Sequence, residues 1–235
     1  MGGKFPVTGI EYNIVPDEPR RVKVWDPLVR ISHWTLAVAF LAAYAIEDEL
    51  LTLHAWLGYL AGAVVVGRVV WGLVGPRLAR FSDFVYPPRV VLGYLADLVF
   101  FRARRYLGHS PAGGAMAVAL WLGVAASVAS GIAAYAYQGR GPLAPYLGPA
   151  ARVSVSPVLV SPAAANDDEK KSGPGKPRKS RAAEAWEEIH EVLAQITLWL
   201  VVLHVAGVLW ASLVHRENLT RGMIDGRKRA VNGPD

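Results

Sequence analysis

Four long apolar runs, separated by charged or Pro/Gly-containing breaks, organise this chain. They cover residues 28–46 (LVRISHWTLAVAFLAAYAI), 54–74 (HAWLGYLAGAVVVGRVVWGLV), 114–137 and 189–215. Each approaches or exceeds the ~20 residues an α-helix needs to cross a hydrocarbon core, so the pattern predicts four spans. The acidic EDELLTL makes a very short turn between the first two, and Gly75-Pro76 stops the second. Residues 88–105, PRVVLGYLADLVFFRARR, are shorter and interrupted by Asp97, as expected of an amphipathic helix lying in the membrane interface. The predicted fold is an all-α membrane protein: a four-transmembrane-helix bundle with an interfacial amphipathic helix and a long, partly disordered outer loop. Its segments are a tail (1–25), spans one to three with the interfacial helix (26–138), the outer loop (139–185), span four (186–216) and a second tail (217–235).

Composition agrees with a membrane location. Hydrophobic residues make up 53% of the 235, and mean hydropathy is +0.27, too apolar for an ordinary soluble domain. Eight Trp and nine Tyr suit aromatic anchoring at the two interfaces. A net charge of +6 would suit nucleic acid, but the basic residues sit in short segments flanking apolar runs, where a topology signal explains them better. Lys4, Arg20, Arg21, Lys23 and Arg30 precede or open the first run. Arg77, Arg80, Arg89, Arg102, Arg104 and Arg105 fill the second-to-third connection, and Arg216, Arg221, Arg227, Lys228 and Arg229 follow the fourth run. The first-to-second connection has none, so the positive-inside rule puts both termini in the cytoplasm. The basic stretch DDEKKSGPGKPRKSR lies on the outer side, but long connections translocate with little regard to charge. Residues 1–25 hold no uninterrupted apolar core, so no cleavable signal peptide is expected and the first span serves as its own insertion signal.

With no cysteine, the chain has no disulfide, thiolate metal site or covalent haem attachment. Histidine is the leading candidate metal ligand. His190 and His204 lie 14 residues apart on span four, on nearly one helix face and about 21 Å apart along the axis. His33 lies just inside the cytoplasmic end of span one, and His54 opens span two on the outer side. Two level pairs result, His33 with His204 and His54 with His190, each joining different helices. Such pairs suit two bis-histidine haems with no open coordination position. Taken singly, each intramembrane histidine also suits hydrogen-bonded packing or a proton relay. Arg68, 14 residues after His54, falls at the cytoplasmic level, where it suits a haem propionate or snorkelling to headgroups. Gly58, Gly62, Gly67, Gly131 and Gly207 allow close approach, of another helix or of a flat ring. His109 and His215 are expected at the cytoplasmic interface as solvated or snorkelling groups.

At these residues the chain resembles the bacterial cytochrome b561 family, which includes the cytochrome b subunits of nickel-iron hydrogenases. The matching segments are VWDPLVRISHW, LHAWLGYLAGAVVVGRVVWGLVGPR, ARFSDFV, RYLGHSPAGGAM and LHVAGVLWASLVHRENLTRGMIDGRK, within residues 22–138 and 184–229. The resemblance implies a four-helix bundle with two b-type haems, held by His33, His54, His190 and His204. His109 falls in the family's GH-x-P loop, without an assigned role. The long, charged stretch at about 139–183 is where the chain departs from the family's recognisable segments. The resemblance further implies electron transfer between the quinone pool and a periplasmic or membrane-bound partner, a cytochrome c or a hydrogenase or dehydrogenase subunit. The chain is then an electron-transfer subunit in a bacterial inner membrane, in contact with lipid and without nucleic acid; a homodimer is left open. The rival readings are a haem-free membrane anchor and a histidine-based proton or ion pathway.

Overall fold

In the computed structural model, the described residues are 21–46, 50–148 and 181–230. Four helices are long and apolar enough to cross a membrane: α1 (Pro27–Ile46), α2 (Leu51–Val74), α4 (Pro111–Tyr137) and α6 (Arg181–His215). Between α2 and α4 lie two 3-10 turns (Arg77–Ala79 and Phe81–Asp83) and α3 (Pro88–Val99). A one-turn helix, α5 (Ala144–Leu147), follows α4; α7 (Leu219–Asp225) follows α6. Two short strands, β1 (Arg21–Lys23) and β2 (Arg227–Arg229), pair antiparallel with Val22 opposite Lys228. The chain is an all-α membrane bundle, as its apolar runs foretell.

Local chemistry starts the helices where needed. Asp26 precedes Pro27, and its Oδ1 accepts the Val29 backbone N–H at 2.9 Å, satisfying one orphan donor of α1. Ser110 does the same for α4: its Oγ accepts the Gly113 N–H at 3.2 Å, with Pro111 as the first helical residue. α3 ends earlier than the 88–105 pattern suggests. Phe101 takes a left-handed backbone conformation (φ 58°), which stops the helix after Val99 and leaves the arginines in an irregular segment. Conversely, α6 begins at Arg181, well before the apolar run. Its 35 residues would span about 52 Å, against the ~30 Å of a hydrocarbon core, so its first turns stand proud of the membrane.

Packing runs α1 on α2, α2 on α4 and, most extensively, α4 on α6. Ala61 and Val65 of α2 meet Val124 of α4, with Leu36 and Phe40 of α1 against them. Between α4 and α6, Thr197 is completely buried and its Oγ1 lies 3.2 Å from Ser127 Oγ. By contrast, α6 is not among the helices that pack extensively on α1 or α2. It stands off from both, and the histidines face each other across that gap. The outward faces are apolar: Trp199 and Leu213 of α6 are 65% and 69% exposed, which suits lipid contact.

The two strands bring residues 21–23 and 227–229 together, so both ends of the described chain lie on one side of the bundle. Gly226 makes this possible. At φ 78° it takes a conformation that a side chain disfavours, and an added Cβ would lie 2.8 Å from the Trp25 carbonyl oxygen. Its own carbonyl accepts the N–H groups of Val24 and Trp25. Arg105 closes the clasp with a two-pronged bond to Glu217 (2.8 and 2.7 Å), the two side chains only 16% and 12% exposed.

Candidate functional site

α6 carries one imidazole at each of two levels, and each faces a histidine of another helix. His54 and His190 have ring centroids 5.9 Å apart with planes at 88°. His33 and His204 have centroids 6.3 Å apart with planes at 60°. Neither pair is stacked. Two metal–nitrogen bonds of about 2 Å each, in line and extended by the two ring radii, span roughly 6 Å between ring centres. Both separations therefore leave room for one metal ion between the rings. Among the described residues no group of three or more His, Cys, Asp or Glu is placed to hold a metal ion.

At the level far from the termini, the second ring nitrogen is already engaged. His190 Nδ1 lies 2.8 Å from the Ser127 carbonyl oxygen and 3.2 Å from Ser130 Oγ. His54 Nδ1 lies 3.0 Å from the Ala43 carbonyl oxygen. A carbonyl only accepts, so both Nδ1 atoms carry the proton and donate, leaving each Nε2 with its lone pair. Gly131 packs under His190: a Cβ there would lie 2.9 Å from Cε1 of the ring. A cavity of about 940 Å³ surrounds this pair, between Phe40 and Tyr44 of α1, Gly58 of α2, Gly131 of α4 and Gln195 of α6. That is the upper part of the range for cofactor and ligand pockets. Of the other glycines in the runs, Gly58, Gly67 and Gly207 face open space and Gly62 packs on Val128.

The level near the termini is built differently. His33 Nδ1 is buried without a hydrogen-bond partner, as is Nη1 of Arg68, a residue only 5% exposed. Arg68 lies six residues before the end of α2 and His33 six residues after the start of α1, about 9 Å in from the same side. The Arg68 guanidinium lies 5.2 Å over the ring of Trp121. Its burial is a finding against snorkelling to headgroups.

The family model described as prokaryotic cytochrome b561 matches residues 24–226. The chain belongs to the prokaryotic cytochrome b561 family. No curated protein and no solved structure matches it. Members of this cytochrome family bind haem b, and the residues here fit that group. Paired imidazoles stand at bonding separation, their helices are held apart, a cavity lies beside them, and two buried polar atoms lack partners at the second level. As a b561 member the chain is a membrane b-type cytochrome in electron transfer.

One of the two remaining histidines differs from expectation. His109 is not a solvated interfacial group: its ring lies between Trp25 and Phe84, each with its ring centroid 4.6 Å away, and its Nδ1 is sealed from solvent. Burial, reinforced by the charges of Lys228 and Arg68, pushes its pKa down to about 3, so the imidazole is neutral at physiological pH. His215 is engaged by Tyr94 of α3, with Nε2 3.1 Å from the phenol oxygen. Sequence reasoning missed Ser127 and Ser130 and read Gly131 only as room for close approach; together the three set the far histidine. Their signal is the small-residue run SVASG, where i, i+3 and i+4 share one face of α4.

Proposed function

We propose that this cytochrome holds two haem b groups, one at each level of α6. His54 and His190 would hold the iron of the far-side haem, and His33 and His204 that of the termini-side haem. The observation that carries this reading is the meeting of two separate imidazole pairs, at matched depths, on one 35-residue helix. Haem iron supplies one-electron exchange when bound; the protein sets its potential through axial ligands, hydrogen bonding and burial. With two imidazoles on each iron, neither keeps an open position for oxygen or substrate, which favours electron transfer. The Ser127 and Ala43 carbonyls orient the far-side rings, and Arg68 supplies a positive charge for a propionate of the termini-side haem.

The two levels lie about 21 Å apart along α6 and thus form a path across the membrane. The termini side, rich in arginine, is the cytoplasmic one by the positive-inside rule, in a bacterial inner membrane. Quinone is the proposed mobile partner within the bilayer. A periplasmic or membrane-bound protein, a cytochrome c or a hydrogenase or dehydrogenase subunit, completes the path on the other side. The test is spectroscopic. The purified chain should show a dithionite-reducible b-type spectrum with about two haems per chain. His190→Ala and His204→Ala should each remove one haem, a different one in each case. No reducible spectrum, or a variant that removes neither haem, would overturn the reading.

A further inference from the structure

Beside the termini-side histidine pair, two nitrogen-bearing side chains are buried without the partners their chemistry demands. Arg68 is a permanent cation at 5% exposure with Nη1 unbonded, and no ion pair to it is present among the described residues. Asp26 is the acidic group within electrostatic reach, but its Oδ1 caps α1 at Val29 and its Oδ2 accepts Trp71 Nε1 at 3.2 Å. His109, the residue before the Ser110 cap, presents a sealed Nδ1 that bonds nothing. The two are joined by a row of aromatic contacts. His109 lies against Phe84, Phe84 meets the edge of Trp121 at 5.9 Å, and the guanidinium sits over Trp121. The Arg68 charge lies within electrostatic reach of both His109 and His33.

A buried cation without a counter-charge is strongly unfavourable, and so is a sealed ring nitrogen with no partner. One acceptor within reach of both, with the His109 proton on Nδ1, would answer both. That acceptor is anionic, because Arg68 cannot lose its proton, and it accepts at least two hydrogen bonds, as a carboxylate does. A neutral carbonyl would leave the charge unbalanced. Lys228 is spoken for: its Nζ bonds the Gly108 carbonyl at 3.2 Å and lies 5.3 Å over Trp25.

We propose that Arg68 and His109 form a two-donor carboxylate site, and that its ligand is a propionate of the termini-side haem. Arg68 supplies charge and His109 a neutral, rigidly held N–H. This rests on the two-haem reading above and adds to it a role for a histidine that is not an axial ligand. Trp25 and Phe84 fix the imidazole plane by packing, so the donor is in place before the cofactor arrives and little ordering cost falls on binding. A donor that shares the propionate charge raises the potential of the nearest haem and leaves the distant one alone.

The experiment uses the full-length, haem-loaded protein. His109→Phe keeps the aromatic packing and deletes the donor; His109→Asn restores a neutral N–H. In His109→Phe both haems should remain. The oxidised-to-reduced ratio of the termini-side haem at fixed solution potential should rise about tenfold, equal to 59 mV for one electron. Its propionate bending mode in resonance Raman should shift, the far-side haem should be unchanged, and His109→Asn should return both signals to wild type. No shift, an equal shift of both haems, or His109→Asn behaving as His109→Phe would overturn the proposal. Should His109→Phe fail to fold, wild-type protein carrying ¹⁵N-histidine decides. In the reduced form, the His109 Nδ1 resonance should differ between protein loaded with haem b and with its dimethyl ester. Identical resonances would assign the site to a free anion and overturn the propionate. A wild-type protein that takes up no haem would overturn the two-haem reading as well, whereas two intact haems with silent His109 variants would overturn this inference alone.

Discussion

Gly131 shows how much one hydrogen atom in place of a methyl group decides. An alanine Cβ would lie 2.9 Å from His190 Cε1 and 3.1 Å from Nδ1, closer than ordinary contact. The ring cannot swing aside freely, because Ser127 and Ser130 hold its Nδ1. Gly131→Ala should therefore tilt the imidazole. Groups that orient a ligand without touching the metal typically matter 10–100-fold in affinity. In the proposed cytochrome, weakening of about that size is expected for the far-side haem alone, read by haem titration with the termini-side signal as internal control. Equal weakening of both would mean that Gly131 serves helix packing in general. The two facing histidine pairs were legible from residue counting, because depth along a helix is linear in sequence. Their hydrogen-bond shells were not. Which carbonyl meets Nδ1 depends on the rotation of α4 about its own axis, and small residues there read equally well as packing.

At the scale of elements, the α4–α6 interface does for the far-side pair what sheer bulk does in a soluble core. Its centre is polar: Thr197, with no exposure, meets Ser127, and also back-bonds to the Leu193 carbonyl at 2.8 Å. Gly123 makes room for Thr197, since a Cβ there would lie 2.8 Å from its hydroxyl. Thr197→Val keeps the shape and removes the bond between helices. Interhelical bonds in membranes average about 0.6 kcal/mol, so a loss near that value is expected in reversible unfolding from mixed micelles. A loss several times larger would show that Ser127 is left unsatisfied and drags His190 with it. The spans themselves were plain in the sequence as apolar runs of sufficient length. Their ends were less so. The early start of α6 rests on RAAEAWEE, a polar run of good helix formers that carries no hydropathy signal. The stop of α3 rests on a left-handed Phe101, a conformation its residue type does not announce.

For the whole molecule, the clasp that joins the two ends responds to pH. Burial alone would raise the Glu217 carboxyl, but the Arg105 side-chain bond, the Arg229 N–H and the nearby charges of Arg105 and Lys228 outweigh it, leaving the pKa below its ordinary value. A depressed carboxyl stabilises the fold above its unfolded value, near 4.5, and that contribution is lost as pH falls through the lower folded value. Lys228 is buried to a pKa of about 8, against 10.5 when free, so the fold disfavours its charged form and this penalty lifts as pH rises from 8 to 10.5. Both groups tighten the clasp with rising pH. Amide exchange at Val24 and Trp25, whose N–H groups bond Gly226, should accelerate below pH 4.5, beyond the intrinsic pH trend, while α4 stays protected. Glu217→Gln should abolish most of that acid dependence and loosen the clasp at neutral pH; an unchanged profile would exclude Glu217 as its cause. The sequence suggested two cytoplasmic tails here and gave no hint that they pair, because three-residue strands rich in arginine lack any apolar alternation.

α6 contributes a histidine to each pair, and it follows the other three described spans in the chain. While α1, α2 and α4 are inserting, His33 and His54 are single imidazoles facing an empty side of the bundle. Neither level is complete until α6 enters the membrane. Cofactor loading in the proposed cytochrome thus waits for α6: a chain that stalls in the long connection before it carries half of each proposed binding site and the whole of neither.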